Sequence, residues 1–352
     1  MEALFVAVGK QGIGAGNIAY STNGVDWAVT GAGIFDNACY GVAYNGELWV
    51  AAGWDWTEGG NTLAYSYNGI DWVGLGRDIF PEGANAVCWN GSIWVVGGEG
   101  YVDEEYGSHN IAYSYDGINW TYEPDGTTAF NAFCNKIRWN GSYFLATGNT
   151  CWYLYYSYNG INWTAVPGWY NSATRPFYDY MTDMLWDENE SRWIVSGYDS
   201  AYRHNTLGYI AGDPPSSWGG WGLDPFDKRC LSLDLANDLF VACATPSTTA
   251  HTLATSNNGE DFIGLGAIAI GAGLVVSHAY IGATLIWVVG GYTAVARPYN
   301  LAYSANGTDW TSVDITDVIE DIYELDSISS GSTPPSPAAA IYIGDVIFGK
   351  AT

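Results

Sequence analysis

Positive charge is what this chain has least of. Of 352 residues only 11 are Lys or Arg, against 37 Asp or Glu, for a net charge of −26. The few basic residues form no cluster, so the footprint of a nucleic-acid binder is missing and anionic membranes are disfavoured. The charge balance reads as solubility and repulsion between copies. Long apolar runs are also missing; nothing approaches the roughly 20 residues of a membrane span. The opening MEALFVAVGK has neither a basic start nor a long apolar stretch and already reads as a strand, so synthesis in a cytoplasm without a leader is expected. The four histidines, at 109, 204, 251 and 278, are isolated, and no HExxH, GxSxG or phosphate-cradling glycine loop is present. Six cysteines, at 39, 88, 134, 151, 230 and 243, lack CxxC spacing, which points to buried free thiols rather than a zinc site or a disulfide framework. None of these features implies a cofactor.

Glycine and aromatics are abundant: 45 Gly, 27 Tyr and 18 Trp. Aromatics suit a pleated, half-buried surface and Gly supplies turn backbone at positive φ, so many short strands and tight turns are expected. One motif recurs, as IAYSTNGVDW (18–27), LAYSYNGIDW (63–72), IAYSYDGINW (111–120), LYYSYNGINW (154–163), LATSNNGEDF (253–262) and LAYSANGTDW (301–310). Its glycines, Gly24, Gly69, Gly117, Gly160, Gly259 and Gly307, are 45, 48, 43, 99 and 48 residues apart. The double interval hides a copy, TLGYIAGDPPSSW (206–218), with a turn rebuilt around Pro214 and Pro215. A second motif precedes each first one, as in VAYNGELWVAAG (42–53), VCWNGSIWVVGG (87–98) and IRWNGSYFLATG (137–148). Both read as hairpins around an Asn-Gly pair of type I′. Two hairpins per repeat make four antiparallel strands, one blade of a β-propeller, and seven copies predict a single seven-bladed domain over 1–352.

Closure is expected in one blade, where N-terminal ALFVAVG supplies a second strand and C-terminal AAAIYIG a first. Segment 314–326 has helical apolar spacing and predicts a short amphipathic helix. A flexible connector follows at 327–337, then a closing strand and tail at 338–352, with residues 345–352 expected either to add an outer strand to the blade or to contact a neighbouring subunit.

The Ser-x-Asn/Asp-Gly-x-Asp/Asn-Trp motif resembles the Asp-box of neuraminidase-type repeats, one residue shorter and with the acid kept only at Asp116. The resemblance implies a structural hairpin on the outer part of each blade, away from any active site. The following Trp27, Trp72, Trp120, Trp163 and Trp310 are expected to cover the hairpins and wedge between blades, with sugar stacking as the alternative. The YSxDGxxW form of the repeat also resembles repeats of phage and large-virus structural proteins.

A sialidase would need three convergent arginines, and the seven present (77, 138, 175, 192, 203, 229 and 297) show no such spacing. Asp103, Glu104 and Glu105 in the acidic loop offer oxygen ligands to calcium, although a hydrated loop tip is the commoner fate of such a run. Four loops between second and third strands, 54–61, 99–110, 198–205 and 292–300, should crowd one face, where recognition usually sits. They carry Trp54, Trp56, Tyr101, Tyr106, Tyr198, Tyr202, Tyr292 and Tyr299, which suit a carbohydrate or protein partner. The leading expectation is a non-enzymatic virion component, a capsid decoration, tail or fibre protein meeting other virion proteins or a cell-surface glycan or receptor. The alternatives are an extracellular glycan-binding lectin and a sialidase-like hydrolase.

Overall fold

The computed structural model describes residues 3–9, 16–23, 25–99, 102–103, 107–124, 130, 133–148, 153–169, 176–177, 180–198, 205–222, 226, 229–245, 251–266, 272–281, 283–292, 301–313, 327–330 and 347–350. The fold is all-β. Among the described residues the chain runs six times through a four-stranded antiparallel unit, at 38–74, 83–122, 134–165, 180–222, 229–264 and 272–313. The rebuilt copy at 206–218 is a true hairpin, with Leu207–Ala211 paired to Ser217–Gly222. Single pairings at Trp54–Gly83 and Tyr198–Arg229 fuse two pairs of units into eight-stranded sheets.

Three strands at the N-terminus, Ala3–Val8, Ile18–Ser21 and Ala28–Thr30, make a partial unit. Ala3–Val6 pairs antiparallel with Ile347–Lys350, and Ala7–Val8 with Ser327–Ser330. Part of the stretch read as a connector is therefore a strand. An edge beside Ala3–Val8 would otherwise leave backbone groups unpaired, and both C-terminal segments meet that need. The expected closing run 338–344 and the helix at 314–326 lie outside the described residues.

The first strand of each unit is innermost. The six such strands, Ala38–Tyr44, Gly83–Trp89, Cys134–Trp139, Tyr180–Asp187, Arg229–Ala236 and Ala272–Ile281, touch one another in chain order, and Ser327–Ser330 touches both the last and the first. Each of the six carries a β-bulge at the same place, with one extra residue: Tyr40, Asn85, Asn135, Thr182, Leu231 or Leu274. A bulge bends its strand and re-aims one side chain. Two of these residues tie unit to unit, since Asn85 Nδ2 donates to the Cys134 carbonyl (3.2 Å) and Thr182 Oγ1 to that of Cys230 (2.7 Å). The thiols of Cys39, Cys134 and Cys230 occupy the bulge as well, each donating to the carbonyl two residues on at 3.7 Å. Cys39, Cys88, Cys134, Cys230 and Cys243 are buried, and Cys134, Cys230 and Cys243 are free thiols. Burial pushes the Cys134, Cys230 and Cys243 thiols up, which keeps them protonated and unreactive. Cys151 lies outside the described residues.

The Asn-Gly turns are not of type I′. Asn45, Asn90 and Asn140 keep negative φ, and their side-chain Oδ1 accepts the N–H groups two and three residues on, as in Asn45 with Glu47 (2.9 Å) and Leu48 (2.7 Å). Among the described residues only Asn237-Asp238 pairs two non-glycine residues at positive φ, 50° and 59°. An asparagine that caps its own turn lets the glycine alone take the left-handed region.

The repeated third-to-fourth strand turn is a closed hydrogen-bond set. At 66–72, Ser66 Oγ accepts from Asn68 N (3.3 Å) and Gly69 N (2.9 Å). Asn68 Oδ1 accepts from Ile70 N (2.9 Å) and Asp71 N (2.8 Å), and the Trp72 indole donates to the Gly69 carbonyl (3.2 Å). Asn68 Nδ2 then donates to Asp71 Oδ2 (2.8 Å). The Asn–Asp pair recurs at 23/26, 258/261 and 306/309. At 116/119 it is exchanged, with Asn119 Nδ2 donating to Asp116 Oδ2 at 2.7 Å. Burial opposes the Asp116 charge, but donation from the Asn119 backbone and amide, Ile118 N–H and the Ser114 hydroxyl outweighs it and holds the carboxyl far below its usual range. Its stabilising share is therefore complete above the ordinary carboxylate range and is lost only as pH falls through the lowered value. Asn119→Asp, which opposes two carboxylates, should cost about 1 kcal/mol, and Asp116→Asn/Asn119→Asp should restore it, read by urea unfolding.

Trp27 and Trp163 are buried, and Trp72, Trp120 and Trp310 lie half-buried against core clusters.

Candidate functional site

Two constellations stand out on the inner strands. The first is a buried polar relay. Arg138 Nη2 meets Asp183 Oδ1 at 3.0 Å, with the two side chains 4% and 3% exposed. Asp183 Oδ1 also accepts from Met184 N (2.9 Å), while Oδ2 accepts from Ser232 Oγ (2.9 Å) and Leu233 N (3.2 Å). Ser232 Oγ in turn accepts from Val276 N at 3.4 Å. The relay thus stitches four consecutive units. Beside it, Asp234 and His278 Nδ1 pair at 2.9 Å. Burial pushes the Asp234 carboxyl up, against the pull of His278. Both pairs are enclosed, so they serve as inter-unit ties rather than an open site.

The second constellation is open. At the end of the second strand Trp49–Trp54, the Trp54 indole donates to Asn85 Oδ1 of the next unit at 2.7 Å. It lies over Gly83, where a Cβ would sit 2.2 Å from Trp54 Cδ1, so only glycine fits beneath it. Tyr40, Trp56 and Phe133 meet Trp54 edge-on, with ring centroids 5.8, 6.0 and 6.1 Å away. Such T-shaped contacts match the electron-poor ring edge to the electron-rich face. Three units contribute to this cluster.

The loop that carries Trp56 is held rigidly. Asp55, 2% exposed, accepts from Thr57 N (2.9 Å) and Asn61 N (3.0 Å) and from the Thr57 hydroxyl. Burial opposes its charge, but these donors and Asp36 N–H prevail and lower its pKa. Arg77 clamps the same loop, donating Nη1 to the Thr57 carbonyl (3.0 Å) and Nε to that of Pro81 (2.7 Å). Trp56 is left 61% exposed. At the register position of Trp54, the next unit places Glu99, whose carboxyl is raised by burial and then by Glu82.

Of the sequence-predicted loop-face residues, the structure brings Trp54 and Trp56 together. Tyr198 stands, half-buried, at the position equivalent to Trp54 in the unit at 180–222. Tyr292 ends the equivalent strand by backbone, while Tyr101, Tyr106, Tyr202 and Tyr299 lie outside the described residues. For the proposed calcium ligands, Asp103 belongs by backbone to a short strand, and Glu104 and Glu105 lie outside the described residues. Among the described residues no three His, Cys, Asp or Glu side chains group to hold a metal, and no helix is long and apolar enough to cross a membrane. Sequence reasoning missed Tyr40, Asn85 and Phe133. The signal was the extra residue in each first strand, visible only once the pairing is known.

No protein-family model and no curated protein sequence matches the chain. Solved structures do match in shape. YCF48 bound to D1 peptide gives a TM-score of 0.55 at 14% identity, covering 81% of this chain and 85% of that one. A virginiamycin B lyase from Staphylococcus aureus gives 0.53 at 8% identity over 79% and 84%, and a streptogramin B lyase 0.53 at 8% over 89% and 88%. These neighbours are β-propeller proteins. The fold is of propeller type.

The matches correct the functional expectation. A non-enzymatic virion component, with lectin or sialidase as alternatives, finds no counterpart in them, and two of the three are enzymes by name. The missing HExxH and GxSxG patterns therefore do not count against an enzyme, because this architecture carries catalysis in other chains. At 8–14% identity the likeness establishes shape alone.

Proposed function

We propose that the chain is a closed seven-bladed propeller built on Asp-box-like turns, and that it binds a polypeptide segment at the Trp54–Trp56 rim. The cyclic contacts of the inner strands, including Ser327–Ser330 between the last and the first, support seven blades with both termini in one. The observation that carries the binding reading is Trp56, an exposed ring on a loop fixed by Asp55 and Arg77. A pre-organised aromatic loses little entropy on binding, which is how anchor residues gain their affinity. Glu82 and Glu99 beside the ring cluster favour a segment with an apolar or aromatic residue next to a basic one. That one neighbour of this fold is bound to a peptide supports the same reading.

The test is selection from a random peptide library on the full chain, followed by titration of the selected peptides. Trp56→Ala is expected to weaken binding by about 2 kcal/mol, and Glu99→Gln to weaken peptides with a basic residue selectively. Equal affinity for the parent and Trp56→Ala proteins would overturn the proposal. Mass spectrometry of the recovered peptide distinguishes simple binding from turnover.

A further inference from the structure

The chain is rich in Asn-Gly pairs, the dipeptide most prone to spontaneous loss of the side-chain amide. In that reaction the glycine nitrogen, once deprotonated, attacks Asn Cγ. The bond from Cγ to the side-chain nitrogen breaks, ammonia leaves, and a cyclic imide forms. Water then opens the imide at either carbonyl, giving aspartate or isoaspartate. Ammonia is released, water is consumed, and no oxidant or catalyst is needed. The rate depends on whether the glycine N–H and the asparagine side chain are free to move.

The fold divides these pairs into two sets. In the third-to-fourth strand turns the nucleophile is held, because Gly69, Gly160, Gly259 and Gly307 each donate N–H to the motif serine at 2.9, 2.9, 3.0 and 2.9 Å. The preceding asparagine N–H is bound to the same serine. At 68, 258 and 306 the departing amide is itself engaged, donating to Asp71, Asp261 and Asp309 at 2.8 Å in each. The first-to-second strand turns have no serine two residues before the asparagine, where Ala43, Cys88 and Arg138 stand instead. Asn45, Asn90 and Asn140 donate their backbone N–H to the carbonyl three residues on, but among the described residues their side chains are held through Oδ1 alone and no hydrogen bond holds the N–H of Gly46, Gly91 or Gly141. Gly91 and Gly141 are exposed to water.

We infer that Asn45, Asn90 and Asn140 are sites of spontaneous conversion to aspartate or isoaspartate, and that the serine-capped turns are shielded from it. Asn159 is a special case within the shielded set. Its partner position holds Asn162, so conversion to aspartate would recreate the Asp116–Asn119 pairing already present in the chain. At 68, 258 and 306 the product would oppose a second carboxylate.

The experiment is incubation of the full-length folded protein at mildly alkaline pH in heavy-oxygen water, with peptide mapping by mass spectrometry. Conversion at 45, 90 and 140 is expected to run at least about tenfold ahead of 68, 258 and 306, equivalent to about 1.4 kcal/mol in barrier. In urea the two sets should converge, which shows that the fold and not the dipeptide sets the difference. Ser66→Ala should accelerate Asn68 alone, whereas global unfolding of that variant would accelerate every site together. Equal rates for both sets in the folded parent, or an unmoved Asn68 in folded Ser66→Ala protein, would overturn the inference.

Discussion

Asp183→Ala is expected to destabilise the protein by about 3–5 kcal/mol, the usual loss when a buried ion pair is broken from one side. The physical reason is what stays behind. Arg138, 4% exposed on its side chain, would lose the carboxylate that its Nη2 meets, and Ser232, Leu233 N–H and Met184 N–H would lose their acceptor. A buried donor that loses its acceptor carries a desolvation penalty. Because the relay crosses four units, the loss should lower the cooperativity of unfolding as well as its midpoint. Equilibrium urea unfolding of the parent, Asp183→Ala, Arg138→Ala and the double variant reads both. The double variant is expected to cost clearly less than the two singles combined, since each single variant breaks the same contact. Additive losses would mean that the pair is not an energetic unit.

The second large effect concerns a turn glycine. Gly117 has φ of +74°, and a Cβ there would come 2.6 Å from Leu48 Cδ2, 3.0 Å from Val50 Cγ2 and 3.1 Å from Trp94 Nε1. Gly117→Ala therefore combines a left-handed backbone, at about 1–2 kcal/mol, with overpacking at about 1–3 kcal/mol. Gly141→Ala separates the two, since its φ is +94° and nothing lies within 4 Å of its Cβ position. Gly141→Ala should show the backbone cost alone, and Gly117→Ala about twice that or more, by urea unfolding. Equal losses at both positions would show that the Leu48 contact carries no weight.

The turn at 114–120 explains why so much of the fold was readable. Ser114, Asp116, Gly117 and Trp120 each have a separate hydrogen-bonding or conformational task, so all must be present and the spacing survives in the sequence. Where a task is met otherwise, as by the proline-bearing turn at 212–216, the pattern fades but the hairpin persists. Arg138 stood in the sequence only as one of seven arginines and Asp183 was not singled out, because the two lie 45 residues apart and their meeting depends on the inner-strand register. The rim cluster was half legible. Trp54 and Trp56 stood in a loop at the expected point of the repeat, whereas Tyr40 and Asn85 are bulge residues whose direction follows from an extra residue in the ladder. The virion expectation failed for another reason: it rested on repeat resemblance and composition, which constrain a scaffold and leave its chemistry open.

The glycine turns also give the molecule a direction. Gly117 leans on Leu48 and Val50, Gly160 on Val95, Gly259 on Ile194 and Gly307 on Leu239, and in every case the supporting side chain belongs to the preceding unit. Support thus passes one way along the chain, from each unit to its successor. Trimming the C-terminal unit leaves the turns at Gly117, Gly160 and Gly259 seated, while trimming the N-terminal end as far as Val50 removes the seat of Gly117. A nested series of truncations should accordingly fail asymmetrically, and a circularly permuted chain should tolerate new ends best where no turn has lost the neighbour it rests on.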